Sequence, residues 1–174
     1  LLNILKKDLK SDYLPIIAED LGVITKDVEI LMDNYELPGM KILQFAFDGN
    51  ENNPYLPKNI EKENWVVYTG THDNATSTSW WDCLDITIKN HIKDKYKYSN
   101  DPSWNLIEIG MSTKANLFIS PIQDILSLDD SSRLNTPGTI TKNWRWKLNQ
   151  TLDEIDMNLK KYSDLGNNYG RLSN

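Results

Sequence analysis

The chain has 174 residues, of which 39% are hydrophobic and 10% aromatic, so it can bury a core and is not a disordered acidic tail. Its 19 basic and 25 acidic residues give a net charge of −6, which argues against a nucleic-acid-binding surface because such a surface needs a basic stripe. The single cysteine, Cys83, excludes an internal disulfide, and no apolar run approaches the ~20 residues of a membrane span. We therefore expect a cytoplasmic protein without a membrane partner.

Four apolar segments predict β-strands, and helical sequence lies between them. A helix is predicted between a cap at Thr25 and a stop at Pro38-Gly39, and a second helical region is predicted from about Ser77 to Lys97. Strands that alternate with helices imply right-handed crossovers and a parallel sheet, so the predicted fold class is α/β. The predicted strands cover residues 13–18, 40–47, 65–69 and 116–120.

The last part of the chain predicts a packing helix at about 151–165. Thr151 and Glu154 have the spacing of a capping box, and Leu152, Ile155 and Leu159 start an apolar stripe at helical spacing. No linker-like segment divides the sequence, so we expect no separate second domain.

Polar side chains follow the predicted strands, where sites form in parallel α/β sheets. Glu19 follows the first strand and Asp73 follows the third. Two carboxylates directed at one pocket suit glycosyl transfer, in which one protonates the leaving oxygen and the other stabilises positive charge at the sugar carbon. His72, beside Asp73, can donate a hydrogen bond to a sugar hydroxyl.

Other interpretations of these residues stay open. The carboxylates are also consistent with solvated strand ends, or with Asp73 capping the helix that begins near Thr76. A divalent-metal site formed by Asp20, His72 and Asp73 is a weaker alternative, because the sequence has no HxxxH motif or carboxylate cluster.

Arginine is rare in this lysine-rich chain. Only Arg133, Arg145 and Arg171 are arginines among the 19 basic residues. A composition that favours lysine wherever a simple charge suffices suggests that these arginines serve through their planar guanidinium groups.

Seven segments together resemble the 4-alpha-glucanotransferases, also called amylomaltases or disproportionating enzymes. They occur in the family's order and spacing over about residues 13–172. The segments are 17–22 (IAEDLG), 38–47 (PGMKILQFAF), 53–57 (NPYLP), 68–74 (YTGTHDN) with Trp80-Trp81, 121–126 (PIQDIL), 135–139 (NTPGT) and 143–146 (NWRW).

The resemblance implies an enzyme that transfers alpha-1,4-glucan segments between maltooligosaccharides, or to glucose, by a retaining double displacement. It implies that Glu19 is the general acid/base and that Asp73 stabilises the transition state. It implies neither a cofactor nor a metal. Substrate contacts are implied for His72, Asn74, Gln44, Asn135, Pro137, Gly138 and Arg145.

The resemblance also implies that the chain is the C-terminal half of a (β/α)8 TIM-type barrel, with about four parallel strands. The family's nucleophilic aspartate lies upstream of the glutamate in an Arg-x-Asp motif, but only Asp8 and Asp12 precede Glu19 here, and neither has that motif. The chain starts at Leu1 without a methionine. We therefore expect an inactive fragment that needs the missing N-terminal half of the barrel as its partner. A catalytically silent glucan-binding fragment and an alpha-glucan hydrolase of the same superclan are the alternatives.

Overall fold

The computed structural model describes residues 1–96 and 100–171, and at its centre lies a parallel sheet of three strands. The strands are β1 (Gly39–Ile42), β2 (Trp65–Tyr68) and β3 (Leu117–Ile119), in the order β1-β2-β3. In their register, Met40 pairs with Val66 and Val66 pairs with Leu117. The α/β class and three of the four predicted strands are confirmed, although each strand is shorter than predicted.

Seven α-helices accompany the sheet in the described ranges. The predicted region 77–97 forms two helices, because Leu84 leaves the helical conformation and the Asp85 side chain caps a new helix by accepting a 2.7 Å hydrogen bond from Thr87 N. Lys97, at the end of that prediction, lies outside the described residues. The helices are α1 (Leu2–Leu9), α2 (Lys26–Asn34), α3 (Ser77–Cys83), α4 (Ile86–Lys95), α5 (Pro102–Met111), α6 (Ile122–Ile125) and α7 (Leu152–Asn168).

The strand predicted at 13–18 is wrong. This segment has no regular secondary structure, and the backbone hydrogen bond from Ala18 N to Pro38 O, at 2.8 Å, joins it to the residue before β1. Leu14 is buried, but Tyr13, Ile16 and Ile17 are exposed, so the apolar run is not buried on both faces in the described part of the chain.

The strand predicted at 40–47 ends early for a different reason. After Ile42 the chain turns into a 3-10 helix at Leu43–Phe45, and Leu43, Ala46 and Phe47 remain buried in the core. Burial alone accounts for the apolar pattern there, because a continuous apolar run does not distinguish a strand from another buried segment.

Helix α5 was not predicted and forms much of the core. Its residues Leu106 and Ile109 pack in one cluster with Val67 of β2, while Trp104, Ile107 and Met111 form a second cluster. Asp101 is the N-cap of this helix, and its side chain accepts hydrogen bonds from the N–H groups of Ser103 and Trp104. Tyr162 and Leu165 of α7 pack against the second cluster.

Helix α7 confirms the predicted terminal helix and extends it to Asn168. Its capping box is formed, since Glu154 N donates to Thr151 Oγ1 at 3.3 Å and Thr151 N donates to Glu154 Oε2 at 2.9 Å. Near its end, the Arg171 guanidinium donates to backbone oxygens of the α5 terminus, among them Met111 O at 2.8 Å. None of the helices in the described ranges is long and apolar enough to cross a membrane.

The buried carboxyl group of Asp124 joins the end of β2 to the start of α3. Asp124 Oδ1 accepts from Ser77 N at 2.8 Å, and Asp124 Oδ2 accepts from Ser77 Oγ at 2.7 Å and from Thr69 Oγ1 at 2.5 Å. Only 1% of Asp124 is exposed. Since Thr69 and Ser77 flank residues 70–76, this carboxyl group fixes both ends of the intervening loop.

We expect Asp124→Ala to lower the free energy of unfolding by about 2–4 kcal/mol, because it leaves buried donors of Ser77 and Thr69 without their acceptor. Asp124→Asn keeps the side-chain shape and one oxygen, so it serves as the matched control and should cost less. Urea denaturation followed by tryptophan fluorescence measures both. Equal destabilisation by the two variants would contradict this assignment.

The stabilities of the wild type and of Asp124→Asn should also depend differently on pH. Burial raises the pKa of the Asp124 carboxyl group, against the opposing effect of its hydrogen bonds from Ser77 and Thr69. A carboxyl group with a raised folded-state pKa contributes most stability below its unfolded pKa of about 3.9 and loses that contribution as the pH rises through the folded value. The stability difference between wild type and Asp124→Asn should therefore shrink with rising pH.

Candidate active site

A cleft of about 480 Å³ opens beyond the carboxyl ends of β2 and β3. Its position agrees with the expectation for parallel sheets. Glu19 and Asp73, which lie 54 residues apart in sequence, both line it, so the structure brings the two predicted carboxylates to one cleft. The other lining residues are Leu21, Met40, Tyr68, Gly70, Thr71, His72, Asn74, Ala75, Thr76, Ile119, Pro121, Gln123, Asp124, Arg133 and Leu134.

The loop 70–76 carries His72, Asp73 and Asn74 into the cleft and is stabilised from within. Asn74 Oδ1 accepts from both Thr71 N and Thr71 Oγ1, at 2.9 and 2.8 Å. Asn74 also lines the cleft, so its predicted contact with substrate stays a prediction, while its side-chain oxygen closes this turn.

Gln44 supports the same loop from the sheet side. Its Nε2 donates to Ala75 O at 2.9 Å, and its backbone N donates to Thr69 O at 3.2 Å. A Cβ atom at Gly70 would lie 2.8 Å from Gln44 Nε2, so a larger residue there would displace the Gln44 amide. Gln44 is buried and does not line the cleft, so the structure does not bring this predicted contact residue to the site.

Asp73 is held by a second segment, residues 130–135. Asn135 Nδ2 donates to Asp73 Oδ1, and Arg133 Nη2 donates to the Asp73 backbone oxygen at 2.7 Å. His72 Nε2 lies 3.4 Å from the same Asp73 Oδ1. The orientation of the Asp73 carboxylate is therefore defined from two sides.

The guanidinium of Arg133 reaches three different acceptors. Besides Asp73 O, Arg133 Nε donates to Asn135 O at 2.9 Å, and Nη1 lies 3.4 Å from Asp130 Oδ2. The other oxygen of Asp130 accepts from Thr76 N at 2.9 Å. A lysine has no planar fork with which to make this set of contacts, which agrees with the interpretation of arginine usage in the sequence.

An exposed loop at 134–144 borders the cleft. Its ends are joined by the hydrogen bond from Trp144 N to Leu134 O, at 2.7 Å, and Trp144 packs on His72 with ring centroids 5.0 Å apart. Pro137 and Gly138 are exposed in this loop and do not line the cleft.

Arg145 is not among the residues that line the cleft. Its side chain is exposed, does not line the cleft, and makes no hydrogen bond or ion pair with the described residues. Of the three arginines, Arg133 and Arg171 use their guanidinium groups on backbone oxygens.

Two alternatives from the sequence are contradicted. The N-cap of α3 is Thr76, whose Oγ1 accepts from Ser79 N at 3.4 Å, so Asp73 is not the cap. Asp20 does not line the cleft that His72 and Asp73 line, and its Oδ1 accepts from Met40 N at 2.7 Å. Within residues 1–96 and 100–171, no group of three His, Cys, Asp or Glu residues is placed to hold a metal ion.

Asp20 instead belongs to a tightly packed contact at the start of β1. A Cβ atom on Gly39 would lie 2.4 Å from the Trp65 ring and 2.6 Å from Asp20 Oδ2. Lys41 Nζ lies 3.8 Å from the centroid of the Trp65 ring, and burial lowers the pKa of Lys41 while the charge of Asp20 raises it.

Sequence reasoning missed two supporting carboxylates, Asp124 and Asp130. Asp124 lies in the segment 121–126 of the family resemblance, but its partners Thr69 and Ser77 are about 50 residues away. For Arg133, the scarcity of arginine in the chain is the only signal that the sequence offers. No local pattern indicates which backbone oxygens it binds.

Comparison with known proteins identifies the family. The 4-alpha-glucanotransferase model of glycoside hydrolase family 77 matches residues 1–153. The chloroplastic/amyloplastic 4-alpha-glucanotransferase of Arabidopsis thaliana is 46% identical over 161 residues, which are 90% of this chain and 28% of that protein. The 4-alpha-glucanotransferase of Synechocystis is 43% identical over 92% of this chain and 32% of its own length.

Solved structures agree with the sequence comparisons. The amylomaltase of Streptococcus agalactiae, solved in complex with acarbose, superposes with a TM-score of 0.87 at 30% identity, covering 99% of this chain and 35% of that one. The amylomaltase of Corynebacterium glutamicum shares the fold, with a TM-score of 0.61 at 14% identity. The chain thus spans about a third of the length of the proteins it matches. It belongs to the 4-alpha-glucanotransferases of glycoside hydrolase family 77.

Proposed function

We propose that this chain forms the C-terminal part of a (β/α)8 barrel that transfers alpha-1,4-glucan segments between maltooligosaccharides. The observation that carries the proposal is the shared cleft beyond the carboxyl ends of β2 and β3, which both Glu19 and Asp73 line. The acarbose complex of the Streptococcus agalactiae relative supports an alpha-glucan as the ligand. Cytoplasmic localisation stays a prediction, since the Arabidopsis relative is named chloroplastic/amyloplastic.

In the proposed mechanism, Glu19 protonates the glycosidic oxygen while an aspartate outside this chain attacks the anomeric carbon. The resulting glycosyl-enzyme is then attacked by the 4-hydroxyl of an acceptor sugar, from which Glu19 removes the proton. Asp73 stabilises the positive charge of the transition state, and His72 contacts the donor sugar. No step requires a metal or a cofactor.

The supporting residues have unequal roles in this proposal. Asn135 and Arg133 orient Asp73, because they contact its carboxylate and its backbone oxygen. Gln44 and Asn74 act mainly by shaping the loop that carries Asp73. Pro137, Gly138 and Arg145 stay predicted substrate contacts of the exposed border.

In the complete enzyme, Glu19→Gln should lower the rate of maltotriose disproportionation by about 10²–10⁴-fold, because the amide can neither donate nor accept the required proton. Oligosaccharide binding should persist, since the change preserves shape. Glucose release and calorimetric titration with acarbose measure the two effects. Glu29→Gln is the control, because Glu29 is exposed in α2 outside the cleft; near-normal turnover of Glu19→Gln would overturn the assignment.

The chain by itself should not convert maltotriose, because the proposed nucleophile lies elsewhere in the enzyme. The test is incubation with maltotriose followed by chromatography of the sugars, and glucose with longer oligosaccharides would refute the need for a second segment. Adding the upstream part of the protein should restore transfer. Glucan binding without restored transfer would favour the catalytically silent glucan-binding fragment.

Arg133→Lys should lower kcat of the complete enzyme by about tenfold or more while KM changes little. Lysine lacks the planar guanidinium group, so the substitution disturbs the position of Asp73 rather than the sugar contacts. Arg171→Lys is the matched control, since Arg171 also binds backbone oxygens but at the end of α5. Both variants should lower the melting temperature, and only Arg133→Lys should lower kcat. An equal effect on kcat in both variants would assign Arg133 a purely structural role.

A further inference from the structure

Trp144 differs from the other tryptophans in its exposure. Trp81 and Trp104 are buried, Trp65, Trp80 and Trp146 are partly buried, and Trp144 is 61% exposed. It belongs to neither hydrophobic cluster of the described core. Exposed apolar area of this size is unfavourable in water.

The backbone of Trp144 is also strained. Its φ of +58° lies in the left-handed region, which is rare for a bulky residue. The hydrogen bond from Trp144 N to Leu134 O fixes this conformation, and the side chain of Asn143 stabilises the loop by accepting from Thr136 N and donating to Thr139 O, each at 3.0 Å. Strain that is maintained by surrounding contacts is characteristic of functional positions.

This strained and exposed residue lies beside the proposed catalytic loop. Its ring contacts His72 at a centroid distance of 5.0 Å with an interplanar angle of 41°. His72 lines the cleft next to Asp73. The indole therefore extends the surface of the cleft past His72 toward solvent.

We propose that Trp144 is a carbohydrate-stacking platform, on which one pyranose ring of a bound glucan packs its C–H face at a subsite beyond His72. This inference depends on the proposed function for the identity of the sugar. An indole presents a large, rigid apolar face with a single N–H donor, which suits a ring whose faces are apolar and whose edges carry hydroxyls. The exposure of the Trp144 ring is then offset when the sugar covers it.

The test compares Trp144→Ala, Trp144→Phe and Ile140→Ala in the complete enzyme. Ile140 is fully exposed in the same loop, so its variant controls for loss of apolar surface there. For maltoheptaose we expect Trp144→Ala to raise KM about five- to tenfold with kcat changed less than twofold. Trp144→Phe should have a smaller effect, and Ile140→Ala should behave as wild type.

Direct binding separates this inference from the proposed function. If the wild-type enzyme transfers no glucan, the proposed function fails, and calorimetric titration with acarbose and maltoheptaose still compares the variants. Unchanged affinity and KM in Trp144→Ala would overturn the platform. So would a lowered melting temperature with unchanged affinity, because Trp144 would then pack against another protein segment.

Discussion

The buried carboxyl group of Asp124 is the interaction on which the arrangement of the site depends. It accepts hydrogen bonds from Thr69 at the end of β2 and from Ser77 at the start of α3, and these residues flank the loop that carries Asp73. Burial of a carboxyl group is costly unless it is hydrogen-bonded, so a satisfied Asp124 favours one geometry of that loop over its alternatives. The position of Asp73 follows from this attachment.

A second set of contacts determines the orientation of Asp73 within that geometry. Arg133 and Asn135 approach it from a segment 60 residues further along the chain, and they contact its backbone and its carboxylate separately. The exposed loop that follows places Trp144 on His72. The cleft is thus assembled from three distant segments, the region around Glu19, the loop 70–76 and the segment 130–144, each anchored by hydrogen bonds.

Elements that depend on local sequence are predicted correctly, whereas features that depend on distant partners are not. The capping box at Thr151 and the three parallel strands are confirmed because local periodicity and capping determine them. The strand prediction for residues 13–18 is wrong because a continuous apolar run does not by itself specify a strand. The family motif predicts a substrate contact for Gln44, but its side-chain amide donates a hydrogen bond to the backbone oxygen of Ala75. The position of a residue in a motif does not reveal the direction of its side chain.

Sequence alone determined the α/β class, the family resemblance and the pair Glu19 and Asp73 as candidates, since these follow from local patterns and motif order. The tertiary structure decided that both carboxylates line one cleft, that Asp20 lies outside it, and that Asp124 and Arg133 support the site. The physical reason is that hydrogen-bond partners 50 or more residues apart are chosen by how the strands and helices pack. No local pattern contains that information.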